Sequence, residues 1–365
     1  MVRRWALVAG AVLVGVVGLW FAVNQLVWAS LTPHTGPMPA PPDGIASFRA
    51  EACEDCHPAQ GEAWGRSRMA HAMTNPGFLA DWHDQDDAPI CLACHAPFQD
   101  QQAVVVSGLW AVVPSPVFRT SPHPGFDPDL QSEGVTCLAC HLAPDGQVAV
   151  TRDVTAPHGT TVVDDLGEVC VGCHQMQVGP FDLLDRPLID TAAEHRAWKE
   201  ASGRSDTCAD CHMTDGAHDV VGGWHADTVA SGLRAELRPV AGGWELTITN
   251  EAGHHVPTGE TSGAIELWAV RNEGEPILLE RLTRVVEGPP WREVQDTTLR
   301  PTASRQWKLP HAERYFVVAR MERLLHLPEA RSAAEKAGFP VQEDVLLAES
   351  RLWAPGVGKP QGEGR

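Results

Sequence analysis

All ten cysteines of this 365-residue chain belong to five copies of one motif, Cys-x-x-Cys-His. Two thiols three residues apart can reach both vinyl groups of one porphyrin, and the imidazole that follows can bind its iron. A zinc ribbon pairs two Cys-x-x-Cys units and does not need a histidine after each. The motifs therefore predict five covalently bound haem c groups rather than zinc sites or disulfides. The predicted haem-binding residues, from the first motif to the fifth, are Cys53, Cys56 and His57; Cys91, Cys94 and His95; Cys137, Cys140 and His141; Cys170, Cys173 and His174; and Cys208, Cys211 and His212.

The motifs also divide the chain. They end at His212, and the stretch from residue 226 onward lacks cysteine but is long enough to bury a core of its own. Little protein surrounds each motif, so we expect the porphyrins to form much of the first core. The predicted fold class is α+β, with a mainly helical and loop pentahaem cytochrome c domain packed on a C-terminal β-sandwich. The predicted boundaries are 1–29 for a membrane anchor or signal, 30–47 for a Pro/Gly-rich tether, 48–225 for the haem domain, 226–350 for the sandwich and 351–365 for a disordered tail.

The N-terminus predicts export. Arg3 and Arg4 precede an apolar run from Trp5 to Val23, which is long enough to favour an uncleaved transmembrane helix over a cleaved signal. The alternative is cleavage after small residues, before Ser30, which would release the protein. Basic residues remain on the cytoplasmic side of an anchor. Both alternatives place the haem motifs on the periplasmic side of the cytoplasmic membrane.

The C-terminal part alternates between apolar and polar residues, with Gly, Pro and Asn turns between the runs, as in an all-β domain. A short helix is predicted at Pro328–Ala337, ended by Gly338. A hairpin is predicted at Gln102–Val113, where two valine-rich runs flank Ser107 and Gly108. The predicted strands are Leu233–Pro239, Trp244–Asn250, Ala264–Arg271, Ile277–Val286, Glu293–Leu299, Arg305–Leu309 and Tyr315–Arg320.

Each haem iron also needs a sixth ligand, and twelve of the seventeen histidines lie outside the motifs. Histidine on both sides of the iron suits electron transfer, whereas a missing sixth ligand leaves a position for a substrate. The alternative for any one of these histidines is a surface or loop role. Met69 and Met213 are weaker candidates. The candidate distal ligands lie within or just after the haem segment: His71, His123, His158, His195, His218, His225 and His254.

Residues around the motifs resemble a known family, the multihaem cytochromes that include the tetrahaem electron acceptor of hydroxylamine oxidoreductase. The similarity covers roughly residues 48–260. It implies electron transfer more strongly than catalysis, and it implies distal roles for His71, His218, His225 and His254. This sequence departs from the family in an added Trp224 before His225. The matching residues are Trp64, Ser67, Met69, Asn75-Pro76, Cys91–Pro97, Gly134-Val135, Trp198, Met213, Gly222-Gly223 and the run Gly253–Gly259.

The formal net charge of −19 excludes nucleic-acid binding, which needs a basic face. An acidic surface could meet a cationic redox partner or simply keep the protein soluble. We expect an electron carrier of a respiratory chain, with no catalytic residue, that exchanges electrons with redox partner proteins or the quinol pool. An alternative is a multihaem oxidoreductase that acts on a small nitrogen or sulfur compound at one open haem. A third possibility makes the sandwich a docking module for a partner enzyme.

Overall fold

The computed structural model describes residues 12–22, 39–110, 117–177, 184–259, 261–288 and 291–351. Residues 12–22 form a helix, α1. None of the helices in these ranges is long and apolar enough to cross a membrane. The predicted anchor is therefore not supported by the described residues. The cleavage alternative before Ser30, and the predicted tail from residue 352 onward, lie outside the described residues.

Short helices and turns make up the haem-motif region. The motif residues lie on or next to α2 (Glu51–Glu54), α5 (Leu92–His95), α7 (Cys137–His141), α8 (Glu168–His174) and α10 (Cys208–His212). Between them lie α3 (Pro58–Arg66), α4 (Pro76–Asp84), α6 (Pro128–Ser132) and α9 (Thr191–Ser202), with 3-10 turns at Pro89–Cys91 and Gln99–Gln101. A 3-10 turn at Thr214–Gly216 and α11 (Ala226–Gly232) follow the last motif. Helices this short bury little surface against one another, in keeping with a core built on porphyrin.

Local signals begin and end the helices that matter most for the site. The Asn75 side chain accepts hydrogen bonds from two backbone N–H groups in the first turn of α4, where Pro76 also lies. Gly203 ends α9 at φ 70°, a left-handed conformation that glycine adopts without a steric penalty. These ends position α4 beside the second motif and lead α9 directly towards α10.

The predicted hairpin exists, but its turn was wrongly located. Strand β1 (Val104–Trp110) runs straight through Ser107 and Gly108 and pairs antiparallel with β2 (Val117–Pro122). A register shift between Val106 and Gly108 shows why the Ser-Gly pair looks like a turn in the sequence, since glycine also suits a β-bulge. The connection between the strands lies outside the described residues. A second small sheet pairs β3 (Val148–Val150) and β4 (Thr160–Val162) in parallel.

Two antiparallel sheets form the C-terminal part. One has the order β10-β6-β5 and the other β12-β11-β7-β8-β9. The seven predicted strands correspond to β5–β11, with ends shifted by up to three residues, and β12 was missed. The strands run over β5 Leu233–Val240, β6 Gly243–Asn250, β7 Ala264–Arg271, β8 Ile277–Glu287, β9 Arg292–Asp296, β10 Ser304–Pro310, β11 Arg314–Glu322 and β12 Gln342–Arg351.

The two sheets share one apolar core. Leu246 and Ile248 of β6 are fully buried, as are Leu267 of β7 and Val317 of β11 in the other sheet. Alternate residues of β6 are buried, the pattern of a strand with one face on a core. The observed architecture is mixed helix and sheet, with the sheet-rich part at the C-terminal end as predicted.

Helix α12 (Pro328–Lys336) connects this sheet-rich part to the haem-motif region. It packs on α4, and Phe339 just after it contacts Trp224 with ring centres 5.1 Å apart. The Phe339 ring also lies so close to Gly77 that a β-carbon there would come within 2.4 Å of it. Gly77 therefore permits the close approach of α4 to the C-terminal part.

We expect Phe339→Ala to lower the free energy of unfolding of the haem-loaded protein by about 3 kcal/mol, because it removes a buried ring between the two parts. Urea denaturation measures the change. Leu346→Ala on β12 is the control, since Leu346 is 52% exposed and its loss should cost less than about 0.5 kcal/mol. Equal losses in the two variants would contradict this account of the interface.

Candidate haem sites

The third, fourth and fifth Cys-x-x-Cys-His motifs each lie within one short helix, where residues three apart share a side, while the first two motifs span a helix end and a turn. No disulfide joins any of the ten cysteines, all of which lie in the described residues. Burial raises the pKa of the Cys91 thiol to about 11, as expected for a sulfur held in apolar surroundings. Among the described residues, no group of three or more His, Cys, Asp or Glu side chains is arranged to hold a metal ion directly. The donor set is that of haem c sockets: two thiols and one imidazole.

The five sockets lie against one another through their thiols. Cys53 of the first motif contacts Cys137 of the third, and this hydrogen bond lowers the pKa of Cys53 to about 7. Three further links join the other motifs, two of them thiol–thiol hydrogen bonds and one a charge interaction. Hydrogen bonds join Cys94 to Cys173 and Cys170 to Cys208, and a charge interaction joins Cys140 to Cys173. Every motif is thus linked to another. The first motif is linked to the third, the third to the fourth and the fourth to the fifth, and the second motif is linked to the fourth.

Residues shared with the resembled family hold the first and third sockets together. The Trp64 indole N–H donates to the Val135 carbonyl at 2.8 Å, and the Val135 N–H donates to the Met69 carbonyl at 3.0 Å. Gly134 has φ +63°, and a β-carbon there would lie 2.8 Å from the Met69 carbonyl oxygen. Only glycine satisfies both the conformation and the close approach.

Three motif histidines are already oriented for a metal. The Nδ1 atoms of His95, His141 and His212 lie 2.9, 3.0 and 2.5 Å from the carbonyl oxygens of residues 72, 149 and 221. A ring that donates from Nδ1 carries its free lone pair on Nε2, the usual metal-binding atom. Burial lowers the pKa of His95 and of His141, which favours the neutral, ligating form. The protein itself therefore orients these three imidazoles so that Nε2 can bind a metal.

Two of the motif histidines face a second histidine. The ring centres of His141 and His218 are 6.3 Å apart with planes inclined by 15°, and those of His212 and His254 are 6.1 Å apart with planes inclined by 10°. Metal–imidazole nitrogen bonds are about 2 Å long, which would separate the ring centres of two ligands on opposite sides of one ion by about 6 Å. His218 and His254 also direct Nδ1 to carbonyl oxygens of neighbouring residues. The residues present fit haem with an imidazole on each side.

The other three motif histidines show no such partner among the described residues. His95 instead stacks on Phe78, with ring centres 3.6 Å apart. His57 lies near enough to His141, and His174 near enough to His212, for their charges to interact. Motif histidines of neighbouring sockets are thus close to one another.

The remaining candidate distal ligands are dispersed. His71 is exposed, and His158 is half-buried against Gly44. His123 directs Nδ1 to the Gln102 carbonyl, and His195 packs on Trp198. None of these four rings faces a motif histidine within the part of the chain described.

His225 has the opposite arrangement to the facing histidines. Its Nδ1 accepts the backbone N–H of Gly222 at 3.1 Å. A neutral ring that accepts at Nδ1 carries its proton on Nε2 and has no free lone pair there. As placed, His225 is therefore the least suited of the candidates to bind iron through Nε2. Met69 and Met213 contribute backbone hydrogen bonds, at residues 135 and 209 respectively.

His254 belongs to a loop that follows β6 and lies on α9. Asn250 is fully buried; its side-chain amide donates to the His254 and Leu299 carbonyls, and its oxygen accepts the Ala252 N–H. Burial lowers the pKa of His254. Sequence reasoning identified His254 but missed Asn250, because an asparagine at a strand end is equally typical of an ordinary turn.

The comparisons with known proteins agree with this geometry. The family described as cytochrome c554 and c-prime matches residues 52–111. The fold is similar to that of a pentahaem cytochrome c552 from Thermochromatium tepidum, with a TM-score of 0.58 and 18% identity over 85% of this chain and 100% of that one. No curated protein sequence matches the chain.

Motifs, family match and fold together support a multihaem c-type cytochrome. Haem c binding is thereby supported, while the number of five haems stays a prediction from the motifs. The resemblance to the family of the hydroxylamine oxidoreductase acceptor is not confirmed by these matches.

We expect Gly253→Ala to destabilise the haem-loaded protein by about 1–3 kcal/mol, since the added methyl would overlap α9. A β-carbon at Gly253 would lie 2.9 Å from Trp198 and 3.0 Å from His195. Gly232→Ala is the control, because its β-carbon would meet only Ala252, at 3.9 Å. Urea midpoints measure both, and a fully tolerated Gly253→Ala would show that the loop can move away from α9 at no cost.

Proposed function

We propose that this chain is a pentahaem c-type cytochrome that transfers electrons in a respiratory chain on the periplasmic side of the cytoplasmic membrane. The observation that carries the proposal is the closeness of the five sockets, which are linked by three thiol–thiol hydrogen bonds and, between the third and fourth motifs, by a charge interaction. Porphyrins attached at neighbouring thiols are brought close to one another by the chain itself. A carrier needs such continuity, whereas a set of separate binding sites does not.

The protein's own residues would hold and orient the cofactors. Covalently bound haem c supplies one-electron redox chemistry. In the proposal His218 is the distal ligand opposite His141, and His254 is the distal ligand opposite His212. Imidazole on both sides fills the iron and excludes other ligands, as a carrier requires.

A second candidate function rests on the motif histidines that lack a facing partner. Of the five, only His141 and His212 face a histidine ring among the described residues. An open haem would permit a multihaem oxidoreductase that acts on a small nitrogen or sulfur compound.

Spectra of the haem-loaded, full-length protein distinguish the two functions. We expect pyridine haemochrome analysis to give five haems per chain. Electron paramagnetic resonance of the oxidised protein should show low-spin iron unaffected by nitrite, and the optical spectrum of the reduced protein should be unaffected by carbon monoxide. A high-spin haem that binds either molecule would favour the oxidoreductase.

Single substitutions test the two proposed ligand pairs. His218→Ala and His254→Ala should each convert one haem from low spin to high spin and open it to carbon monoxide. His83→Ala is the control, because the His83 ring is exposed and hydrogen-bonds to Asp87 rather than facing a motif histidine. If both substitutions leave the spectra unchanged, the proposed pairs are wrong.

The proposed location and partners follow from the N-terminus and the haem chemistry. Haem c attachment is completed outside the cytoplasm, and the Arg3-Arg4 pair with its apolar run is typical of an exported chain. Redox partner proteins or the quinol pool would supply and accept the electrons. A cationic partner would suit the net charge of −19.

We expect fractionation of cells to place the haem-loaded chain with the periplasm or its membrane face. Alkaline washing then separates the two N-terminal alternatives, since an uncleaved anchor keeps the protein in the pellet and cleavage releases it. Haem-loaded protein in the cytoplasm would contradict export.

A further inference from the structure

A buried carboxylate lies where the sheet-rich part meets the haem-motif region. Glu194 is on α9, is 8% exposed, and points at the loop that holds His254. A carboxylate this buried must be matched by donors on all sides. Its partners come from both parts of the molecule.

Both oxygens of Glu194 are engaged. Oε1 accepts a hydrogen bond from Arg186 at 2.7 Å. Oε2 accepts the backbone N–H of His255 at 3.1 Å and the Thr258 hydroxyl at 2.6 Å. Thr258 also bonds to the Thr191 hydroxyl, at the start of α9. One side chain of the haem-motif region thus holds two points of the loop from the sandwich.

Asn250 and Glu194 both hydrogen-bond to the peptide group that joins His254 to His255. The His254 carbonyl and the His255 N–H belong to one planar peptide group. Asn250 donates to that carbonyl at 2.8 Å, and Glu194 accepts from that N–H. The plane is therefore held from the sandwich on one edge and from α9 on the other. Fixing it fixes the direction in which His254 faces His212.

The charge of Glu194 is balanced by a cation that is itself tied to the sandwich. Arg186 contacts Asp296 at 2.7 Å and Glu293 at 3.5 Å. The neighbouring Arg284 donates to the carbonyls of Pro187 and Leu188 and pairs with Glu293. This network keeps α9 and the loop in a fixed relation, so loss of the Glu194 carboxylate should free the loop rather than the whole sandwich.

We propose that Glu194 is a positioning residue that fixes His254 as the sixth ligand of the haem held by the fifth motif. The proposal rests on the proposed function in one respect, that His254 binds iron opposite His212. It adds a role that neither the motif nor the family match assigns. Without Glu194, His254 would visit several orientations and leave this one haem open for part of the time.

The test uses the full-length, haem-loaded protein with Glu194→Ala, probed by electron paramagnetic resonance and carbon monoxide binding. We expect one haem to become high spin and to bind carbon monoxide, and added imidazole to restore its low-spin signal. Glu194→Gln, which keeps one acceptor oxygen, should retain most of the low-spin signal. If Glu194→Ala keeps every haem low spin and closed to carbon monoxide, the proposal is overturned.

A control variant separates positioning from general stability. Glu322 on β11 is partly buried, with its side chain 10% exposed, and pairs with Arg331 of α12 at 3.0 Å. Glu322→Ala should lower the urea midpoint without opening any haem. An open haem in Glu322→Ala would mean that any weakening of the sandwich is enough, and the specific role of Glu194 would be lost.

His254→Ala, measured in parallel, distinguishes the two levels of the argument. If His254→Ala opens no haem, the ligand assignment fails first. If it opens one haem and Glu194→Ala opens none, only the positioning role fails. Should Glu194→Ala not accumulate with haem, Glu194→Gln decides: partial carbon monoxide binding at one haem, absent from the parent protein, supports the proposal, and no carbon monoxide binding overturns it.

Discussion

The haem-motif region depends on one local requirement, that two thiols and an imidazole occupy a single turn of helix. Five such turns within 160 residues leave room only for short connecting helices, so apolar burial between helices is small. Neighbouring sockets are instead linked through their thiols, and backbone carbonyls orient three of the five motif imidazoles. The residues that begin and end the helices, such as Asn75 and Gly203, therefore contribute more to the placement of the neighbouring motifs than the apolar faces of the helices do.

The sheet-rich part is joined to this region in two chemically different ways. Near α12 the contact is apolar, with Phe339 against Gly77 and Trp224. Near α9 it is ionic and hydrogen-bonded, and centres on Glu194 and Arg186. Apolar contact supplies binding free energy but little orientation, whereas a satisfied polar network specifies geometry. The polar contact is the one that lies beside a proposed iron ligand, where orientation is what function needs.

The sequence allowed the motifs and the strands β5–β11 to be predicted, because each depends on a local pattern. Strand β12 was missed since its charged residues suit an edge strand and break the alternation expected of a buried one. The hairpin turn was misplaced because a bulge and a turn use the same residues. The junction at Glu194 could not be predicted, as Arg186 and Asp296 are 110 residues apart and no pattern links them.

The position of His254 has a consequence for how the protein matures. The thiols and the imidazole of the fifth motif are complete by residue 212, but the facing histidine follows β6 and is held by its partner strands. In a chain exported from its N-terminus, as proposed, the fifth motif would emerge before the histidine that faces it. The second side of that socket would then form only once β6 is in place, and a chain that ended after residue 225 would carry the fifth motif without the facing histidine.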